Sequence, residues 1–140
     1  MGLSPRRAVA AGITAALISG LPSTLWALII GADPLAATRA AGTLVPGERT
    51  RPNLIGGVMM HFAISSMWTT AFALAGRRWR LNPIGGAVAG LGIAALDLGV
   101  IGRRYPAIAA LPQLPQWADH IVFGVALGGV LRPQSGNQKA

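Results

Sequence analysis

The 140-residue chain has no cysteine, which excludes disulfides, thiolate metal sites and cysteine nucleophiles. It is nearly as poor in charge. Only 11% of its residues are Asp, Glu, Lys or Arg, where a soluble domain carries about a quarter. The acids are Asp33, Glu48, Asp97 and Asp119 and no others. Soluble-type enzyme signatures are missing too: no phosphate-cradling glycine loop precedes a lysine, no H-E-x-x-H occurs, and no serine sits in a G-x-S-x-G elbow.

What the chain has in abundance is apolar side chains, 52% of the sequence, with a mean hydropathy of +0.52. Most of that surface is expected to face lipid, in one domain at this length. The net charge of +8 comes from eleven arginines and one lysine against the four acids. In a soluble protein such a balance points to nucleic acid. Here the arginines cluster in gaps between apolar runs, where positive charge anchors membrane helices. No aromatic residues interleave with them as in a nucleic-acid groove, so the expected partner is the lipid bilayer, with no nucleic acid.

Four apolar runs predict an all-α, four-transmembrane-helix bundle. The first, 8–32, would be about 37 Å long as a helix, enough for a hydrocarbon core of about 30 Å. A cleaved signal peptide with Arg6 and Arg7 as its basic region competes, although the run far exceeds an h-region of about 7–15 residues. Pro22 predicts a kink near Gly20. Asp33-Pro34 reads as an N-cap followed by proline at the first helical position, opening a short interfacial helix over 35–41 that Gly42 ends. The second span is 54–75, closed by the basic and aromatic anchor Gly76-Arg77-Arg78-Trp79-Arg80. Asn82-Pro83 starts the third, 84–101. Pro112 and Pro115 place 107–116 in an interfacial connection, and the fourth span is 117–131. That span is short for a crossing, so it begins earlier or sits where the bilayer thins.

With four spans, Arg6, Arg7, Arg77, Arg78, Arg80, Arg132 and Lys139 share one side. Arg39, Arg49, Arg51, Arg103 and Arg104 fall on the other. The positive-inside rule then sets both termini in the cytoplasm of a cell with this protein in its inner membrane. Helices in lipid associate through small residues. Rows at intervals of four supply them: Ala8, Gly12, Ala16 and Gly20; Gly86, Gly90 and Ala94; Gly124 and Gly128. They suit a compact bundle, and equally a homodimer or a larger membrane complex.

Ionisable groups cost about 2.5–3.5 kcal/mol each in hydrocarbon, so His61, Asp97, Asp119 and His120 need an explanation. Alternating spans put all four towards one face, where a shared polar cavity is physically reasonable. His61 heads a stripe with Ser65 and Thr69, and Gly57 extends it outward. His120 shares its face with Gly124 and Gly128. Each residue also has a plain structural reading. Asp119 falls in the first turn of the fourth helix, where a carboxylate complements the helix dipole. His61 suits a buried imidazole bonded to a neighbouring hydroxyl or carbonyl, and Ser65 and Thr69 can bond back to their own helix. Asp97 can pair with His61, His120, Arg103 or Arg104.

Three functional readings use the same groups. Asp97 with His61 and His120 suits a proton relay or proton-coupled transport site, since histidine titrates near neutral pH. His61, His120, Asp97 and Asp119 offer donors to a divalent metal. His61 and His120 facing each other would hold a haem. No cofactor is expected from the sequence as the leading case.

The run Asp33-Pro34-Leu35-Ala36-Ala37 with Gly42, His61-Phe62 early in the second span, and Asp119-His120-Ile121-Val122-Phe123-Gly124 resemble a group of small bacterial membrane proteins, uncharacterised four-helix integral membrane proteins of unknown function. The resemblance covers most of the chain from residue 33 onward. It implies a four-span architecture and nothing about activity. Small proton-coupled drug exporters also have four spans, but they depend on an acid deep in the first helix, and 8–32 carries none. The leading expectation is a structural, assembly or regulatory membrane component without enzymatic activity. A transporter or channel using Asp97, His61 and His120 is the first alternative, and a metal- or haem-binding membrane enzyme the second.

Overall fold

The computed structural model describes residues 5–75 and 82–131. The 76–80 anchor and the polar tail after 131 lie outside the described residues, and with them much of the charge that sets the expected orientation. The described residues are helical, without strands. The first apolar run forms α1 (Pro5–Ser19) and α2 (Leu21–Ile29), which break at Gly20. Pro22 has no N–H to give to the preceding turn and its ring crowds that turn. The chain relaxes at Gly20, with φ −80° and ψ 0°.

α3 (Ala36–Ala41) is the short helix between the first two long ones. Its entry differs from the expected N-cap. The Asp33 carboxylate accepts from the Leu35 N–H at 2.9 Å, in a turn ahead of the helix, and pairs with Arg39. Gly42 is the C-cap of α3, as expected, and the chain goes on in a tighter 3-10 turn over Gly42–Leu44. Asn53 then caps α4 (Leu54–Ala75), its Oδ1 accepting from the Gly56 N–H at 2.6 Å. Asn82 does the same for α5 (Pro83–Leu96), accepting from the Gly85 N–H at 2.8 Å. α5 runs on through a wide π turn over Asp97–Ile101 and a 3-10 turn over Gly102–Arg104. After α6 (Pro106–Ala109) comes α7 (Gln113–Leu131). It starts four residues before the expected 117, because Pro115 occupies its first turn, where the missing N–H has no partner to lose.

Among the described residues, three helical stretches are long and apolar enough to cross a membrane: Arg6–Ile29, Leu54–Ala75 and Pro83–Arg104. The expected fourth, α7, does not reach that standard, for Gln113, Gln116, Asp119 and His120 crowd its first two turns. Its position accounts for this. α7 runs through the middle of the bundle and exposes only Gln113, Leu114 and Val125. Its side chains therefore answer to neighbouring helices more than to lipid.

The helices alternate in direction. Along α5 and α7, Asn82 meets Gly128, Gly86 meets Gly124 and Gly90 meets His120, one numbering rising as the other falls. Arg7 reaching the Val130 carbonyl, and Ser23 reaching Asp119, set α1 and α2 antiparallel to α7. Gly12 against Thr69, and Ala16 against His61, set α1 antiparallel to α4. The main core joins Ala11, Ala15, Phe72, Ile93, Phe123, Leu127 and Leu131 from all four long helices. A second cluster, with Ala40, Ala94, Leu98 and Ile108, packs the connecting segments over one end of the bundle.

Two of the three small-residue rows, on α5 and α7, meet each other. A Cβ on Gly86 would run into the Gly124 carbonyl, and one on Gly90 into the carbonyl of His120. The row on α1 is split between two neighbours. Gly12 packs on Thr69 of α4, while the most buried face, Ala11, Ala15 and Ser19, lies one residue over in the core.

Candidate functional site

The break between α1 and α2 opens backbone groups in the interior. The last carbonyls of a helix and the first N–H groups of the next have no partner within their own helix. Two of the four ionisable groups meet them. The His61 ring nitrogen Nε2 lies 2.8 Å from the Ala16 carbonyl in the last turn of α1, and must donate, since a carbonyl only accepts. Ser19 Oγ donates to the same carbonyl at 3.1 Å. On the other side of the break, the Ser23 N–H donates to the Asp119 carboxylate at 2.9 Å. A carboxylate at the start of α2 and an imidazole donor at the end of α1 both match the polarity of the helix ends.

Asp119 therefore serves a helix other than the one expected. The early start of α7 leaves it well beyond the first turn of its own helix, and it caps α2 instead. His61 matches its plain structural reading, bonded to a carbonyl.

The other two ionisable groups face each other. Asp97 Oδ2 and His120 Nε2 are 3.6 Å apart, with side chains 19% and 23% exposed. That separation is longer than a hydrogen bond. The opposite ring nitrogen, Nδ1, is 2.8 Å from the Gln116 carbonyl one turn back and so carries a proton. A neutral ring in this tautomer would aim a lone pair at a carboxylate oxygen. A proton on either group removes that conflict. The indole N–H of Trp68 donates to the same Asp97 oxygen at 3.1 Å. Asp97 also begins the π turn, its carbonyl accepting from the Gly102 N–H. Such turns widen a helix and are frequent at functional sites.

His61, Asp97, Asp119 and His120 all border one cavity of about 550 Å³. The bundle walls it, and residues of α3 and α6 such as Thr38 and Ile108 close over it. The secondary stripe has a different task. Thr69 Oγ1 donates back to the Ser65 carbonyl at 2.7 Å, and its side chain packs where a Cβ on Gly12 would sit. Ser65 reaches the cavity edge. Gly57 gives α3 room, since a Cβ there would strike the Thr38 carbonyl.

Sequence reasoning missed Trp68, Ser19, Ser23 and Gln116. Trp68 had a signal, for it follows His61 and Ser65 at helical spacing on the same side of α4. The other three become site residues only through the broken helix and the His120 rotamer.

The geometry bears on the metal and haem readings. Among the described residues, no three His, Asp or Glu side chains converge as a metal would require. The donor nitrogen of His61 is directed at α1 and the two nitrogens of His120 at Gln116 and Asp97, so the histidines do not face each other as axial ligands.

No family model matches the chain, and neither does any curated protein or solved structure.

Proposed function

We propose that this chain is a four-span membrane protein that moves protons, alone or with a small solute, through the cavity beside its broken first helix. The observation that carries the reading is the Asp97–His120 pair, held at 3.6 Å on the wall of that cavity with room for one proton between them. An acid–base pair inside an apolar bundle is expensive unless it is used. A helix broken at membrane depth beside a cavity that carries ionisable groups is the arrangement that transporters use for solute and coupling-ion sites.

The fourth span in this reading is α7. Its 19 residues cover about 28 Å, close to the thickness of a hydrocarbon core. Its neighbours shield it from lipid, and its direction alternates with theirs. Both termini then share one side, which the positive-inside rule assigns to the cytoplasm of the inner membrane.

A structural or assembly role is the second reading. It is favoured by the absence of any buried side-chain N or O without a partner among the described residues. His61 and Asp119 fit it well, because both hold the helix break together. Asp97 and His120 divide the two readings.

Proton entry into proteoliposomes, followed with an internal pH dye after an acid pulse and with the potential clamped by valinomycin and potassium, tests the proposal. The expected result is a wild-type rate well above that of protein-free vesicles and lost in Asp97→Asn. Equal rates for wild type, Asp97→Asn and protein-free vesicles would leave Asp97 a packing residue.

A further inference from the structure

The cavity carries a charge pattern opposite to that of the chain. The chain has twelve Lys and Arg against four acids. Yet the described residues lining the cavity include two of those acids, Asp97 and Asp119, and no lysine or arginine. The described arginines go elsewhere. Arg39 pairs with Asp33, Arg49 lies over Tyr105 with its guanidinium on the Arg104 carbonyl, and Arg7 reaches Val130 at the far end of α7. Nothing in the cavity wall offers an anion a fixed positive charge.

The two acids are not equivalent. Asp119 is committed to the Ser23 N–H at the helix break. Asp97 has one indole donor and an imidazole too distant for a hydrogen bond. Asp119 is thus fixed by backbone at the helix break, whereas Asp97 faces an imidazole across a gap on the cavity wall. The remaining wall is largely apolar and aromatic, including Trp68, Phe62, Phe123, Leu17 and Leu98. Aromatic faces attract cations as well as apolar groups. A water-sized inorganic cation would leave that wall unused, and a second positive charge would have to be met by Asp119, which the Ser23 N–H holds at the helix break.

From this we infer that the cavity binds a monovalent organic cation with apolar substituents, held by Asp97 against Trp68 and Phe123 and competing with the proton of the Asp97–His120 pair. The inference rests on the transport reading of the same site and names its solute class. The titratable groups facing Asp97 are His120 and Asp119 from α7 and His61 from α4; α3 and α6 bring none to the cavity. A proton taken up by the pair cancels the charge the cation needs, so acid displaces the cation and the cation displaces the proton.

The test compares tetraphenylphosphonium with tetraphenylborate, ions of like shape and opposite charge, by equilibrium dialysis against the full chain in detergent. The expected result is saturable binding of the cation at one site per chain and none of the anion. Binding should weaken as pH falls from about 8 to about 5, the range in which an imidazole ordinarily takes up a proton. Asp97→Asn should weaken it by about tenfold or more, the loss of a charge-assisted contact. Glu48→Gln, which removes an acid outside the cavity, should leave it within a few-fold. Equal uptake of both ions by wild type overturns the inference without recourse to any variant, as does cation binding indifferent to acid. Proton flux in vesicles with no selective cation binding would sink the solute class and leave the proton site standing. Loss of both would remove the two together.

Discussion

The two halves of α7 solve opposite problems with one helix. From Gly124 to Leu131 it lies against α5 at backbone contact, with Phe123, Leu127 and Leu131 filling the core around it. From Gln116 to His120 it holds polar side chains over a cavity of about 550 Å³. The divide falls at Gly90, whose missing Cβ admits the His120 carbonyl. Beyond that point α5 turns into its wide π turn at Asp97, and the helices are joined by side chains instead of backbones. Close packing in lipid follows glycine, because small residues let backbones approach and dispersion does the rest. A cavity follows where glycine stops and polar side chains must be accommodated.

The sharpest way to break this contrast is to put bulk into the closed half. Gly86→Leu places a Cβ on the Gly124 carbonyl, and the backbone there has nowhere to go. Overpacking of this kind, with backbone rather than a side chain in the way, is expected to cost about 3 kcal/mol or more. Gly92, on the same helix with open space around its Cβ position, is the control; Gly92→Ala should stay within about 0.5 kcal/mol. Unfolding in mixed micelles, followed by circular dichroism, separates the two. Equal tolerance at both positions would mean that the seam does not hold the bundle together.

In the open half the effects should be smaller and more specific. Asp119→Ala removes the acceptor of the Ser23 N–H and should cost about 1.5–3 kcal/mol, the range for a hydrogen bond to a charged group. Asp119→Asn should recover most of that, since the amide oxygen still accepts. If Asn does no better than Ala, the cap is not what Asp119 contributes. Trp68→Phe keeps the ring and loses the N–H on Asp97, with an expected loss of about 1 kcal/mol and a changed pH dependence of proton flux. A stability change without any change in flux would make Trp68 a packing residue only.

How much of this could be read in advance depends on how far apart the cooperating residues lie. The kink was legible, because Pro22 acts on its own turn. Glycines at intervals of four marked α5 and α7 as packing helices without saying that they pack on each other, and the gathering of the ionisable groups at one end was expected from alternating spans. The partner of Asp119 was not. It depends on an N–H at Ser23 that only the helix break sets free, 96 residues away in sequence. Whether α7 crosses a membrane is not legible from composition, for a related reason. Hydropathy measures a helix's fitness for lipid, and α7 faces mostly protein. Its polar first turns count against it as a span by composition, while Gln116 and His120 find partners inside the bundle.

Thr69 gives the smallest effect and the finest discrimination between the two regions, for it sits on the side of α4 that carries His61. Its hydroxyl donates to the Ser65 carbonyl, which as a helical carbonyl already serves its own ladder, and its side chain fills the space beside Gly12. Thr69→Val keeps the shape and loses only the hydroxyl. A threonine-to-valine swap in a core is normally costly when the hydroxyl leaves a partner unsatisfied. Here it leaves none, and a back-bonded hydroxyl slightly disfavours the helix in any case. Stability should move by no more than about 0.5 kcal/mol, and proton flux should not move at all. Thr69→Ala, by contrast, opens a gap against α1 and should cost more than valine does. A valine variant that slows proton flux at unchanged stability would place Thr69 on the proton path, extending the open region one turn further along α4 than the geometry puts it.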